Sequence, residues 1–147
     1  KVDLLHVPYK GNVPAITDLL AGQTALIFAT MPTVLPHTKA GKLRALATTG
    51  ETRTPATPEL PTVAETLPGF VVNNWVGLFA PAGTPAEVVA RLNAETRSFM
   101  QSKDITARLT SEGARFVPMT PEQFGAFVKA EIAKWAPVVK ASGAKAD

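Results

Sequence analysis

The sequence predicts an α/β fold in which parallel-rich sheets are flanked by helices. Over residues 2–48, short apolar runs alternate with capped helical stretches through tight connections, the pattern of parallel strands with right-handed crossovers. Residues 50–69 then change character, and a long β-rich segment follows them before the chain turns mostly helical.

Val2 to Tyr9 is an apolar run with β-branched content, ended by Pro8 and Gly11, and reads as a buried strand leading into a loop. Asn12 is placed to cap a helix that carries Ile16, Leu19 and Leu20 and stops at Gly22. Ala25 to Thr30 is the second strand, too short and too uniformly apolar for a surface helix. Met31-Pro32-Thr33 opens a helix to Ala40 with Gly41 as its stop, and Leu43 to Thr48 is the third strand.

Residues 50–69 hold Pro55, Pro58, Pro61 and Pro68, so they are expected to be irregular apart from a helical turn near Thr62 to Leu67. Phe70 to Ala80 is extended and rich in β formers, the candidate crossing between two lobes. Thr84-Pro85-Ala86-Glu87 pairs a cap hydroxyl with a proline at the first helical position, and Val88, Val89, Leu92 and Phe99 follow at helical spacing. A further helix spans about Asp104 to Glu112 and stops at Gly113, and Arg115 to Met119 is a short strand. Thr120-Pro121-Glu122-Gln123 repeats the capping device for a last helix that should bury Phe124, Phe127, Val128, Ile132, Trp135 and Val139. Pro137 should bend or end that helix, because its ring clashes with the carbonyl of Ala133.

Composition excludes several classes. A chain of 147 residues, 46% hydrophobic and 18% charged, suits a soluble globular protein rather than a disordered one. No apolar run approaches the roughly 20 residues that cross a bilayer. The net charge of +3 is mild and no two of the fifteen basic residues are adjacent, which argues against nucleic acid as a partner. With no cysteine, disulfides, thiolate zinc sites and cysteine nucleophiles are all excluded. The chain enters its first strand without a start methionine, signal peptide or polar lead-in, as though cut from something longer.

Catalytic and metal chemistry find little material. The four serines lie in the second half and both histidines, His6 and His37, in the first, and no G-x-S-x-G elbow exists. Two histidines 31 residues apart, with only Asp3 and Asp18 among the first fifty residues, lack ligand spacing, so neither a metal nor a cofactor is expected. His6, within an apolar strand, reads as a hydrogen-bonded core or interface residue.

Polar groups past strand ends are more informative, because ligands of open α/β sheets settle outside the carboxyl ends of the strands. Tyr9-Lys10-Gly11-Asn12 follows the first strand and Ala29-Thr30-Met31 the second. Both loops lead to helix starts, whose unpaired N–H groups and dipole favour an anion, and neither carries an acidic residue. The alternative is that Tyr9 packs, Lys10 is solvated and Gly11 merely turns. Trp75 beside Asn73 and Asn74 would likewise suit a small polar ligand, or serve as core. The candidate ligand-binding residues are thus Tyr9, Lys10, Gly11, Ala29, Thr30, Met31 and Trp75.

The segment HVPYKGNVPAITDLLAGQ (6–23) closely resembles a signature of the Bug, or TctC, family, the extracytoplasmic binding proteins of tripartite tricarboxylate transporters. The resemblance continues in order through LPHTKAGKLRALATTG (35–50), PELPTVAETLPGF (58–70), NWVGLFAPAGTP (74–85) and GARFVPMTPEQFGAFVKAEIAKWAPVVKASG (113–143). It implies a periplasmic-binding-protein type II-like two-lobe fold that closes on its ligand. Family members are typically about twice this length, and the chain looks like their C-terminal half. Residues 1–70 would be part of the second, ligand-binding lobe, and 71–147 a crossing strand with the C-terminal part of the first. A second ligand-gripping loop, rich in glycine and serine, would precede the first signature and is absent from this chain. One departure matters: where the family commonly has Asp or Asn in a pattern like F-D-N, this chain reads Phe28-Ala29-Thr30-Met31.

The function so implied is capture of a small mono-, di- or tricarboxylate in the periplasm of a Gram-negative bacterium and its delivery to membrane permease subunits, without catalysis. The alternative is a sensor module that presents its bound state to a receptor. If the piece exists alone, exposed strand edges would favour a homodimer.

Overall fold

The computed structural model describes residues 4–143. Val2 and Asp3, expected to begin the first strand, and residues 144–147 of the second division lie outside the described residues. The chain divides into two compact units. One takes residues up to Gly77 together with Thr106–Arg115, and the other takes Leu78–Ile105 and the residues from Phe116 onward.

In the first unit, α1 (Asn12–Leu20) and α2 (Met31–Lys39) pack on each other. Gly11 caps α1 at φ 104°, a conformation that a side chain resists, so Asn12 is the first helical residue rather than the cap. Thr30 caps α2 in the extended conformation, and Thr33 returns both its N–H and its hydroxyl to the Thr30 carbonyl. Between the two helices lies the apolar core of the unit: Ala15, Ile16 and Leu35. The irregular stretch after residue 50 closes on itself around a 3-10 turn, Val63–Glu65, where Arg53 grips the Glu65 carboxylate through both Nε and Nη2 at 2.8 and 2.7 Å. Glu65 Oε1 also accepts the Thr62 N–H at 3.0 Å, so one carboxylate ties the start of the loop to its end.

The expected sheets are not formed among the described residues. Segments 4–8, 25–29, 44–47, 70–80 and 115–119 are irregular or extended, and the only β pairing is an isolated parallel bridge between Thr48 and Thr62. The physical reason is topological. Sequential strands of a crossover unit need not be neighbours, and here segments 4–8, 25–29 and 44–47 exchange no backbone hydrogen bonds among the described residues. Leu5, Phe28 and Leu46 are accordingly exposed, and so is His6, which is not a core residue. Val72 is the partial exception: its N–H donates to the Thr49 carbonyl and its own carbonyl accepts the Thr49 hydroxyl.

In the second unit, α3 (Ala86–Met100) packs on α5 (Pro121–Ser142). Between the units in sequence, α4 spans Lys103–Ser111 and stops before Gly113 at φ 74°. The cap of α3 falls on Pro85, because the Thr84 hydroxyl donates instead to the Pro81 carbonyl. The cap of α5 is the expected one: Thr120 Oγ1 accepts the Gln123 N–H while Gln123 Oε1 accepts the Thr120 N–H. Pro137 deprives the Ala133 carbonyl of its partner but does not end the helix, which runs on to a left-handed Gly143. Asn93 Nδ2 donates to the Met119 carbonyl at 3.0 Å, fixing the approach to α5 against α3. Phe79, Phe124 and Phe127 form a chain of ring contacts, with centroids 5.2 and 6.2 Å apart. The apolar stripe of α5 is half-buried at best, and Ile132 and Val139 are exposed.

Candidate functional site

The loop after the first extended segment and the loop after the second converge. Asn12 Nδ2, on the first residue of α1, donates to Thr30 Oγ1, the cap of α2, at 3.2 Å. Thr30 Oγ1 lies 3.3 Å from Thr33 Oγ1, so three polar side chains form one line across two helix starts. Both helices have nine residues and neither has an acid in its first turn. The first N–H groups of any helix lack intrahelical partners. Pro14 and Pro32 remove one donor from each first turn, and Thr33 spends its N–H on Thr30. The backbone donors left are those of Asn12 and Val13 on one side and Met31 on the other. Such a pairing of positive helix ends is suited to an anion.

Of the residues singled out from sequence, Gly11, Thr30 and Met31 meet here, and Ala29 adjoins them with no polar atom beyond its backbone. Lys10 is exposed next to the cap glycine. Tyr9 is differently occupied. Its hydroxyl donates to Asp18 Oδ2 on α1 at 2.7 Å, and this bond, followed by burial and the negative charge, raises the phenol above its ordinary pKa. Tyr9 therefore presents a ring and an oxygen lone pair, and its proton is spent within the chain. Trp75 is half-buried in the extended segment beyond Val72, in the same unit.

Three participants were not in the sequence-based set. Asn12 was expected as a cap and instead bridges two helices; Thr33 extends the polar line; Asp18 orients Tyr9. The spacing Thr30-x-x-Thr33 at a helix start was a readable signal for the second. Nothing local announces a contact 18 residues away.

Met31 is held from outside its helix. Its thioether lies against Gly113, so close that a Cβ there would overlap the sulfur. A depression of about 270 Å³, lined by Pro32, Leu35, Pro36, Lys39, Ser111 and Glu112, lies along α2 and includes none of the seven candidate ligand-binding residues. Among the described residues, no three acidic or histidine side chains cluster to hold a metal, and no helix is long and apolar enough to cross a membrane.

Comparison with known proteins gives a consistent picture. The model of the tripartite tricarboxylate transporter family receptor, TctC, matches residues 1–144. BugT of Bordetella pertussis is 41% identical over 140 residues, 95% of this chain but 43% of BugT. Among solved structures, Rpa4515 of R. palustris with adipate matches with a TM-score of 0.85 and 38% identity, over 93% of this chain and 46% of its own. The periplasmic binding protein BugD matches at 0.84 and 35%, over 97% and 48%. MatC from Rhodopseudomonas palustris, with bound malate, matches at 0.78 and 38%, over 94% and 48%. The chain thus spans about half the length of these relatives. Its fold class is theirs, the α/β fold of periplasmic binding proteins, although the sheet is not completed within the described residues.

Proposed function

This chain belongs to the tripartite tricarboxylate transporter receptor family, and from that premise we propose that it grips one end of a small carboxylate with the paired starts of α1 and α2. The observation that carries the reading is the hydrogen bond from Asn12 to Thr30. It holds two helix N-termini, with their unpaired N–H groups, at a spacing fixed before any ligand arrives, so little ordering cost remains for binding. Relatives bound to adipate and to malate support a carboxylate as the class of ligand. Lys10 adds positive charge at the rim, Tyr9 and Trp75 supply aromatic wall, and Ala29, Thr30 and Met31 close the far side. Ala29 puts no carboxylate beside the ligand, which favours a second anionic end over a cationic one.

In this reading residues 1–70 are part of the ligand-binding lobe, and 71–147 are the crossing segment with the returning part of the other lobe. The protein works in the periplasm, where closure on the ligand creates the form presented to membrane permease subunits. Ligand shifts the open–closed balance only by its preference for the closed state. No bond is made or broken.

Calorimetric titration with adipate, malate, citrate and the neutral diamide of adipate tests the proposal. At least one carboxylate should bind and the diamide should not. Equal binding of diamide and diacid, or no binding of any carboxylate, would remove the paired helix starts as an anion site.

A further inference from the structure

We infer that Gly113, far along the chain from α2, is a positioning residue for the carboxylate site and acts on it through Met31. The inference rests on the proposed function and adds to it a determinant of affinity that touches no ligand. Both residues belong to the first unit.

Met31 is the first residue of α2, and its N–H is one of the backbone donors left at the paired helix starts. Its side chain is seated on Gly113. A Cβ built on that glycine would overlap Sδ of Met31, and Cγ and Cβ of the same side chain are the next nearest atoms. A side chain packed along its length against bare backbone fixes the Cα that carries it. That Cα carries the donor N–H and follows the Thr30 cap directly. Further along α2 there is no such support: a depression lined by Pro32, Leu35 and Pro36 on one side and Ser111 and Glu112 on the other opens beside the seat.

The seat itself is fixed by the C-terminal turn of α4. The Gly113 N–H donates to the Thr110 carbonyl at 3.1 Å, and the Ala114 N–H reaches back to the Leu109 carbonyl at 2.8 Å. This pair of bonds closes a helix around a left-handed residue, and Gly113 has φ 74°. Glycine is thus required twice, once for its backbone and once for the space above it. The second requirement sets it apart. Among the seven left-handed glycines of the described residues, Gly113 alone has an atom within 4 Å of its Cβ position. Gly22, at the same φ of 74°, has none. If Gly113 served only to stop α4, the two positions would differ in nothing but their helix.

The test is a calorimetric comparison with adipate, malate and citrate as probes. Gly22→Ala is the control, since it carries the same left-handed strain at the end of α1 with no neighbour to displace. Gly113→Ala should weaken binding at least about threefold and Gly22→Ala less than about twofold, because a site loses affinity once its donors move by more than about 0.5 Å. In the ligand-free chain, Gly113→Ala should shift the amide resonances of Met31 and Thr33, and Gly22→Ala should not. Met31→Ala clears the seat, so Gly113→Ala added to it should fold and cost less than about twofold in further affinity. Three outcomes would each overturn the inference and leave the carboxylate reading in place: equal effects of the two glycine substitutions on affinity, unmoved Met31 and Thr33 amides, or a threefold cost of Gly113→Ala that persists without the Met31 side chain. If the unsubstituted chain binds none of the three acids, the carboxylate reading fails and the inference falls with it.

Discussion

Tyr9 and Asp18 are joined by a 2.7 Å hydrogen bond in which the phenol donates and the carboxylate accepts, clamping the loop before α1 to the helix's own flank. Tyr9 stands in the loop that leads to the candidate anion site, and the Asp18 carboxylate further along α1 is turned to its phenol. The pair thus keeps the one acidic side chain of α1 occupied, and keeps the Tyr9 ring in a fixed place.

Tyr9 is the only tyrosine of the chain, so phenolate absorbance reports it alone. Its titration midpoint should lie above the ordinary 10.0, because ionisation breaks the bond to Asp18 and places two anions side by side. Asp18→Asn should bring the midpoint back toward 10.0. Since the folded-state pKa is raised, the bond stabilises the fold below pH 10.0 and its contribution is lost as pH rises through the folded value. A midpoint at or below that of free tyrosine would refute the clamp.

Asn12 and Thr30 should act as one unit in ligand binding. Removing one hydrogen bond costs roughly 0.5–1.5 kcal/mol, so Asn12→Ala and Thr30→Val should each weaken carboxylate binding up to about tenfold. The double variant should be little worse than either alone, since the second substitution finds the bond already gone. Full additivity in calorimetric titration would show that the two residues do not work through each other.

Glu65 should dominate the acid response of the loop after residue 50. Its pKa is lowered from 4.5 to about 2, chiefly by the Arg53 side chain and next by the Thr62 N–H. A depressed folded pKa stabilises the native state above pH 4.5 and loses that contribution as pH falls through about 2. Denaturant midpoints should therefore decline over that window in the native protein and decline less in Glu65→Gln. Because the pair is solvent-exposed, the difference should shrink in high salt.

Gly113→Ala should destabilise the first unit. Its left-handed φ of 74° alone disfavours a side chain by about 1–2 kcal/mol, and the added Cβ would displace Met31 from its place at the start of α2. Pairing it with Met31→Ala should recover the steric part and leave the backbone part. Identical denaturant midpoints for single and double variants would show that Met31 is not what Gly113 accommodates.

The helices were legible because their signals are local. Thr120 with Gln123, Pro121 at the first helical position and the glycines at 22, 41 and 113 act within a few residues, and all of them operate as the chain is written. The same locality explains the near misses. Whether Thr84 caps α3 or turns to the Pro81 carbonyl is decided by a rotation of one side chain, which composition does not encode.

The family and the fold class were determined by the sequence itself, because ordered motifs and apolar alternation are properties of the letters alone. Tertiary structure alone decided that Asn12 reaches Thr30, that Tyr9 spends its proton on Asp18, and that segments 4–8, 25–29 and 44–47 exchange no backbone hydrogen bonds among the described residues. Each of those facts depends on which distant backbone or side chain comes within about 3 Å, the reach of a hydrogen bond. A strand's apolar rhythm says which face it will bury, but its neighbour has to be brought to it by the rest of the fold.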